Sequence, residues 1–273
     1  MTAVSPTAVA ESGEAAATAE SFVAARLAAR ATPGYPGRIP RSLNEAYAIQ
    51  ECAIGLFPDR IIGWKVGGVP PAQQAVLGAG RIAGPIFAGN LWTDAGSSNA
   101  LPAIEGGFAA VEAEFVMRIG PGVDPGQMDW SLAQAFEAVD AVFIGVELAG
   151  SSLSTINDMG SAVVVSDFGN NGGLLIGAEL PDWRARLDAI TVETTLAGAV
   201  VGAGGSSSLG GGAIESVRFL LGHCAARGRP LTAGSLVSTG AVTGVHRARI
   251  GEAFTCAFDG VGVIRGTIVR AEG

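Results

Sequence analysis

The chain has 273 residues, 48% of them hydrophobic and 15% charged, so it is long enough to bury a substantial core and too apolar to stay disordered. A net charge of −8 without any basic run argues against nucleic acid or an anionic membrane surface as partner. A small anionic ligand stays open, because a bound divalent ion reverses the local field.

The Ala-rich start through Thr18 lacks the basic and apolar blocks of a signal peptide and reads as a flexible extension over 1–18. No later stretch has the apolar length of a membrane helix. Cys52, Cys224 and Cys256 lie far apart and form no zinc pattern, which fits core thiols in a reducing, cytoplasmic setting. Glu20 to Ala31 carries Phe22, Val23 and Leu27 at helical spacing and runs into the breaker Thr32-Pro33-Gly34. Ser42, with Glu45 three residues on, reads as a capping box opening a second helix through Gly55. The two helices make an N-terminal segment over 19–59, ahead of a main domain over 60–273.

Arg60 to Gly68 is a short strand bracketed by glycines. Its Lys65 sits among apolar neighbours, where an ammonium needs either a partner or a route to the surface. Pro70-Pro71 starts a helical turn through Leu77, and a glycine-punctuated loop follows through Arg81, Gly84 and Gly89 to Trp92.

Two apolar runs then carry acids. Phe108 to Ile119 holds Glu112 and Glu114, which on a strand point to the same face. After a short helix near Leu132–Val139, the run Ala141 to Ala149 holds Glu147. Like charges on a partly buried face repel and lose hydration unless something positive sits between them. Three carboxylates on hydrophobic strands fit an all-oxygen site for Mg²⁺ or Mn²⁺. The alternative is a solvated outer face, the commoner fate of an isolated Glu-x-Glu.

Asp167 to Gly173 is a Gly- and Asn-rich turn between two apolar strands, either a site-bearing loop or a plain turn. Thr191 to Val201 reads as a hairpin about Ala197-Gly198. Ala213 to Arg227 is the most regular helix, stopped by Gly228, and its His223 reads as structural. Ser235–Thr239, Glu252–Phe258 and Val261–Val269 are strands, the last two joined by Asp259-Gly260. The 41 glycines favour such a turn-rich, strand-rich fold over a helical bundle.

Taken in order, several motifs resemble the 2-keto-4-pentenoate hydratase branch of the fumarylacetoacetate hydrolase superfamily. They are Glu45-Ala46-Tyr47-Ala48-Ile49-Gln50, Gly63-Trp64-Lys65-Val66-Gly67, Gln73-Gln74 with Leu77-Gly78, Glu112-x-Glu114 and Val146-Glu147. Ser166-Asp167 with Ile176-Gly177, and Ser238-Thr239-Gly240-Ala241, complete the set, and the likeness runs from about Arg38 to Val269.

The resemblance implies an α+β fold, with a mixed, strand-rich rolled sheet around the site, helices outside and an N-terminal helical segment. It implies Mg²⁺ or Mn²⁺ held by Glu112, Glu114 and Glu147, and a catalytic Lys65. Asp167 is implied on a loop facing the metal, with Asn170, Thr239 and Arg81 as further candidates for substrate contact. The implied partner is a small anionic α-keto acid, and the implied assembly a homo-oligomer.

The leading expectation is a lyase that adds water to a 2-hydroxy- or 2-oxo-dienoic acid of aromatic catabolism through a metal-stabilised enolate. The second is a decarboxylase of a 2-oxo-dienedioate of the 4-oxalocrotonate type. Hydratases of this branch commonly carry an acid after the Leu-Gly, where this chain has Ala79-Gly80-Arg81. The third is a C–C hydrolase of acylpyruvates, which in relatives uses a His-Glu pair near the N-terminal side, whereas His223 and His246 come late. The fourth is a non-catalytic metal-binding relative, against which the retention of Lys65 with three glutamates argues.

Overall fold

The computed structural model describes residues 6–96 and 99–273, with the side chains of 6–12 left aside. Helix α1 (Pro6–Leu27) starts well before the expected Glu20 and stops before Thr32-Pro33-Gly34, with Ala29 in a left-handed conformation. Of the extension expected to be flexible, residues 1–5 lie outside the described residues and 6–18 are helical. Helix α2 (Leu43–Leu56) opens as expected, the Ser42 hydroxyl accepting from the Glu45 amide at 3.2 Å. The other half of the capping box is absent, because the Glu45 carboxylate binds the Arg41 amide and the Arg38 guanidinium instead.

Strand β1 (Ile61–Gly68) and helix α3 (Pro71–Leu77) follow the sequence reading, with Gly78 at φ 67° ending the helix. The loop expected through Arg81 and Gly84 is instead a strand, β2 (Arg81–Phe87), paired antiparallel along β1. Pro85 sits within it, tolerated because β2 is an edge strand. Short β3 (Leu91–Thr93) and β4 (Asn99–Ala103) come next. The two acid-bearing runs form the long central pair β5 (Phe108–Ile119) and β6 (Val139–Ser151), joined through α4 (Leu132–Glu137).

The apolar segment before Asp167 is a short buried helix, α5 (Ser161–Ser166), where a strand was expected. Three consecutive β-branched residues, Val163 to Val165, mislead here, because burial of Val163 and Val165 rather than propensity decides the state. Beyond it come β7 (Asn171–Glu179), α6 (Trp183–Arg186) and the hairpin β8 (Val192–Leu196) with β9 (Ala199–Gly204). Ala197 and Gly198 both take positive φ in that hairpin, as its two-residue turn requires. Helix α7 (Ala213–Ala226) buries Val217, Leu220, Leu221 and Cys224. The chain closes with β10 (Leu236–Ser238), β11 (His246–Arg247), β12 (Ala253–Phe258) and β13 (Gly262–Arg270).

The larger sheet runs β2-β1-β10-β5-β6-β7-β3, with β11 also on β5, and curls into a half-barrel. The smaller runs β4-β13-β12-β8-β9. The fold is thus the mixed α+β class expected. Phe115, Ile144, Phe258 and Ile264 belong to one buried core spanning both sheets, with Phe115 and Phe258 edge to face at 5.7 Å. β5 is buried from Phe108 to Met117, so its acids cannot lie on a solvated face.

Candidate metal centre

Strand alternation puts Glu112 and Glu114 on one face of β5, and the β5–β6 register sets Glu147 directly opposite Glu112. The three carboxylates are buried, and one oxygen from each lies within 4.8 Å of the others. Lys65 joins them from β1, its Nζ 3.2 Å from Glu147 Oε1.

The two deepest acids share one design. Glu114 Oε2 accepts from the Ser238 hydroxyl at 2.5 Å and the Gly240 amide at 2.9 Å, while its Oε1 is buried with no hydrogen-bond partner among the described residues. Glu147 Oε1 faces Lys65 and accepts from Asn171 Nδ2 at 3.1 Å, while its Oε2 likewise has none. Each carboxylate is therefore aimed by one anchored oxygen and offers the other. Buried acceptors of this kind are costly to leave bare. Three buried carboxylates that approach one another this closely, two of them with an unpartnered oxygen and all of them hard donors, fit a divalent cation of the Mg²⁺, Mn²⁺ or Ca²⁺ kind.

The electrostatics agree. Burial raises the Glu112 carboxyl to about 7, Lys65 pulling it back and Glu147 pushing it further up. Glu114 is raised well above the carboxylate range, by burial first and then by Glu147 and Glu112. Burial would strip the proton from Lys65, but Glu147, Glu112 and Glu114 together outweigh it and hold the ammonium above its usual range. One lysine faces three acids, so the site as built has an appetite for positive charge.

Above the acids opens a cavity of about 850 Å³. Lys65, Glu112, Asn170, Thr239 and Arg81 line it, and Glu114 and Glu147 lie fully buried behind. The Thr239 hydroxyl is committed to the Phe115 carbonyl at 2.9 Å. Asn170 donates to Asn157 Oδ1 at 3.1 Å and keeps its own Oδ1 buried without a partner among the described residues. Asp167, expected to face the site, does not line the cavity. Its Oδ1 takes Arg26 Nε at 2.5 Å and its Oδ2 takes the Ser151 hydroxyl at 2.6 Å, so both oxygens are spent inside the protein. Sequence reasoning missed Asn171, Arg26 and the role of Ser238. Ser238 lay within a motif already noticed, whereas nothing in the sequence marks Arg26.

A buried carboxylate triad with a lysine, on a curled mixed sheet beneath an open cavity, defines a candidate cation-dependent enzyme centre. No family model matches the chain. It is 28% identical over 232 residues to the 2-keto-4-pentenoate hydratase of Paraburkholderia xenovorans, across 82% of this chain and 83% of the relative. The 2-keto-4-pentenoate hydratase 3 of Pseudomonas putida matches to the same extent. In fold the chain is similar to 4-oxalocrotonate decarboxylase from Pseudomonas putida, solved with magnesium and adipate. The TM-score is 0.76 at 22% identity, over 94% of this chain and 98% of that one. Fumarylpyruvate hydrolase from Pseudomonas aeruginosa, solved with Mn²⁺ and pyruvate, gives a TM-score of 0.55 at 21% identity, over 79% and 91%. The sequence likeness to 2-keto-4-pentenoate hydratases agrees with the resemblance carried by the motifs, and the fold is shared with 4-oxalocrotonate decarboxylase.

Proposed function

We propose that the chain is a divalent-cation-dependent lyase that adds water to a 2-hydroxy- or 2-oxo-dienoic acid, with Glu112, Glu114 and Glu147 as ligands and Lys65 as the proton-moving group. The observation that supports this most is the pair of unpartnered buried oxygens, Glu114 Oε1 and Glu147 Oε2, set beside Glu112 and Lys65. A cation bound there would polarise the 2-keto group of the substrate and offset the carboxylate charge that otherwise holds the Lys65 proton. Lys65 Nζ then takes and returns the proton that moves along the conjugated chain as the 2-hydroxydienoate becomes its 2-oxo tautomer. Ser238, Gly240 and Asn171 keep the carboxylates aimed while this happens. In this reading the rest of the substrate occupies the cavity that Asn170 and Arg81 line.

The same reading takes Mg²⁺ or Mn²⁺ as the ion, and a cytoplasmic homo-oligomer as the working form, on the strength of the family likeness. Among the described residues no helix is long and apolar enough to cross a membrane. The segment over 19–59 serves in this reading as a support for the catalytic unit over 60–273. The second reading, decarboxylation of a 2-oxo-dienedioate, is favoured by one observation: a guanidinium, that of Arg81, lines the cavity. Hydrolysis ranks lower, since neither His223, which lies on α7 against Tyr47 and Phe219, nor His246 lines the cavity.

Incubation with Mg²⁺ and 2-keto-4-pentenoate in its 2-hydroxydienoate form tests the proposal. The expected result is loss of the diene absorbance with solvent oxygen incorporated into a 4-hydroxy-2-oxo product. Release of CO₂ from the dicarboxylate analogue without hydration of the monocarboxylate selects the second reading. Cation binding with neither reaction overturns both.

A further inference from the structure

The N-terminal helix reaches the centre through one side chain. Arg26, in the last turn of α1, places Nε 2.5 Å from Asp167 Oδ1. Its Nη1 donates to the Asn171 carbonyl at 2.9 Å, and its Nη2 to the carbonyls of Gly150 at 2.8 Å and Asp167 at 3.2 Å. The end of β6, the loop after α5 and the start of β7 are thus tied to one guanidinium, a planar fork that a lysine cannot reproduce.

The segment so tied is unusual. Phe168, Gly169 and Asn170 have φ of 55°, 64° and 63°, three consecutive residues in the left-handed region. Only Gly169 adopts it without steric cost, and glycine is needed there for a second reason, since a Cβ would lie 2.8 Å from Gly84 Cα. Such a turn persists only where its surroundings over-determine it. Here Phe168 is boxed in edge to face by Phe57 and Phe87, with the Arg26 guanidinium 5.2 Å from its ring centroid. The residue that leaves the turn, Asn171, is the one whose amide holds Glu147 Oε1.

We infer that Arg26 is a positioning residue for the metal centre: by pinning the left-handed turn at both ends it fixes the Asn171 amide, and through it the direction in which Glu147 presents its free oxygen. The inference rests on the metal-centre reading above and names a residue of α1 that acts on it without touching the cation. Groups that orient a metal ligand from behind typically change affinity by about 10–100-fold when altered.

The test is a double-mutant cycle read by calorimetric titration with Mn²⁺, independent of turnover. Arg26→Lys keeps a charge for Asp167 but loses the fork, and Asn171→Ala removes the amide. Each is expected to weaken Mn²⁺ binding by roughly tenfold, and the double variant no more than the weaker single. Should Arg26→Lys not fold, Asp167→Asn takes its place in the cycle, keeping the side-chain shape while removing the charge partner. Wild-type affinity in the Arg26 or Asp167 variant, or effects that multiply in the double variant, would overturn the inference alone. Absence of Mn²⁺ binding in the wild type would overturn the metal centre and the inference with it.

Discussion

Lys65 Nζ lies 3.2 Å from Glu147 Oε1, although β10 and β5 both separate their strands in the larger sheet. Adjacent strands are about 4.8 Å apart, so a flat sheet would set these two backbones roughly 14 Å from each other. Curling of the sheet brings both side chains onto one concave face. Ser238, which pairs in register with Lys65, is small and turns its hydroxyl to Glu114, leaving the way across β10 clear. The pair is buried, and a buried ion pair is weak evidence of stabilisation. With Glu112 and Glu114 beside it, the cluster is a liability to the fold that a bound cation would relieve.

That liability yields the first prediction. At a hundredfold excess over Kd, Mn²⁺ or Mg²⁺ should stabilise the fold by about 2.7 kcal/mol, read as a rise in Tm that chelation reverses. Glu114→Gln and Glu147→Gln should abolish both the rise and the turnover. Without cation, Glu114→Gln should be at least as stable as wild type, because it removes one of three buried carboxylates crowded around a single lysine. Full turnover after exhaustive chelation would sink the metal assignment.

Lys65→Met should lower kcat by about 10²–10⁴-fold. Mn²⁺ affinity should stay unchanged or tighten, since a competing positive charge has gone. A variant that turns over normally yet unfolds more readily would mean that Lys65 serves only as a structural counter-ion.

The alternation of Glu112 and Glu114, the apolar run around Glu147 and the stranded Lys65 were legible in the sequence, because each is a polar residue in a segment that must be buried. Their convergence was not. It depends on the parallel pairing of Lys65 with Ser238, 173 positions on, and on the register that puts Glu112 opposite Glu147. Local pattern carries no information on either. Asp167 lies in the turn expected of it, but Arg26 takes its carboxylate, and nothing in the sequence of α1 singles that arginine out. β2 escaped notice because Gly84 and Pro85 are loop residues by propensity. Gly84 is required in the strand itself, where a Cβ would come 2.1 Å from the Phe168 carbonyl oxygen.

His223 gives a prediction about stability against pH. It stacks on Phe219 and lies against Tyr47, with its Nε2 buried and unpartnered among the described residues. Burial, aided by the Arg227 charge, lowers its pKa to about 4. Its unfolded value is about 6.5, so the unfolded chain binds a proton that the fold refuses between those values. Stability is therefore intact above about 6.5 and falls as pH drops towards 4, by up to about 1.4 kcal/mol per pH unit from this group. His223→Phe should flatten the slope relative to wild type, measured by urea unfolding at pH 7, 6 and 5. Parallel slopes in the two proteins would show that the ring is not held neutral.

The last prediction concerns the far end of the substrate. Arg81 lines the cavity, donates to the Gly210 carbonyl and pairs with Glu215 at 3.7 Å. Glu215 is also held by Arg218 in a bidentate pair at 2.5 and 2.6 Å. Two guanidinium groups thus face one carboxylate, which cannot neutralise both, and Arg81 is the one that lines the cavity. A monocarboxylate dienoate has an apolar far end and gains nothing from it, whereas a dienedioate carries a second carboxylate suited to a charge-assisted bond. Arg81→Ala leaves the Glu215–Arg218 pair in place, so the fold should survive. The preference in kcat/KM for the dicarboxylate over the monocarboxylate should then fall by about 1.5–3 kcal/mol, followed for both water addition and CO₂ release. An unchanged preference would remove Arg81 as a reader of the substrate, because its charge would then be spent on Glu215 and Gly210 alone.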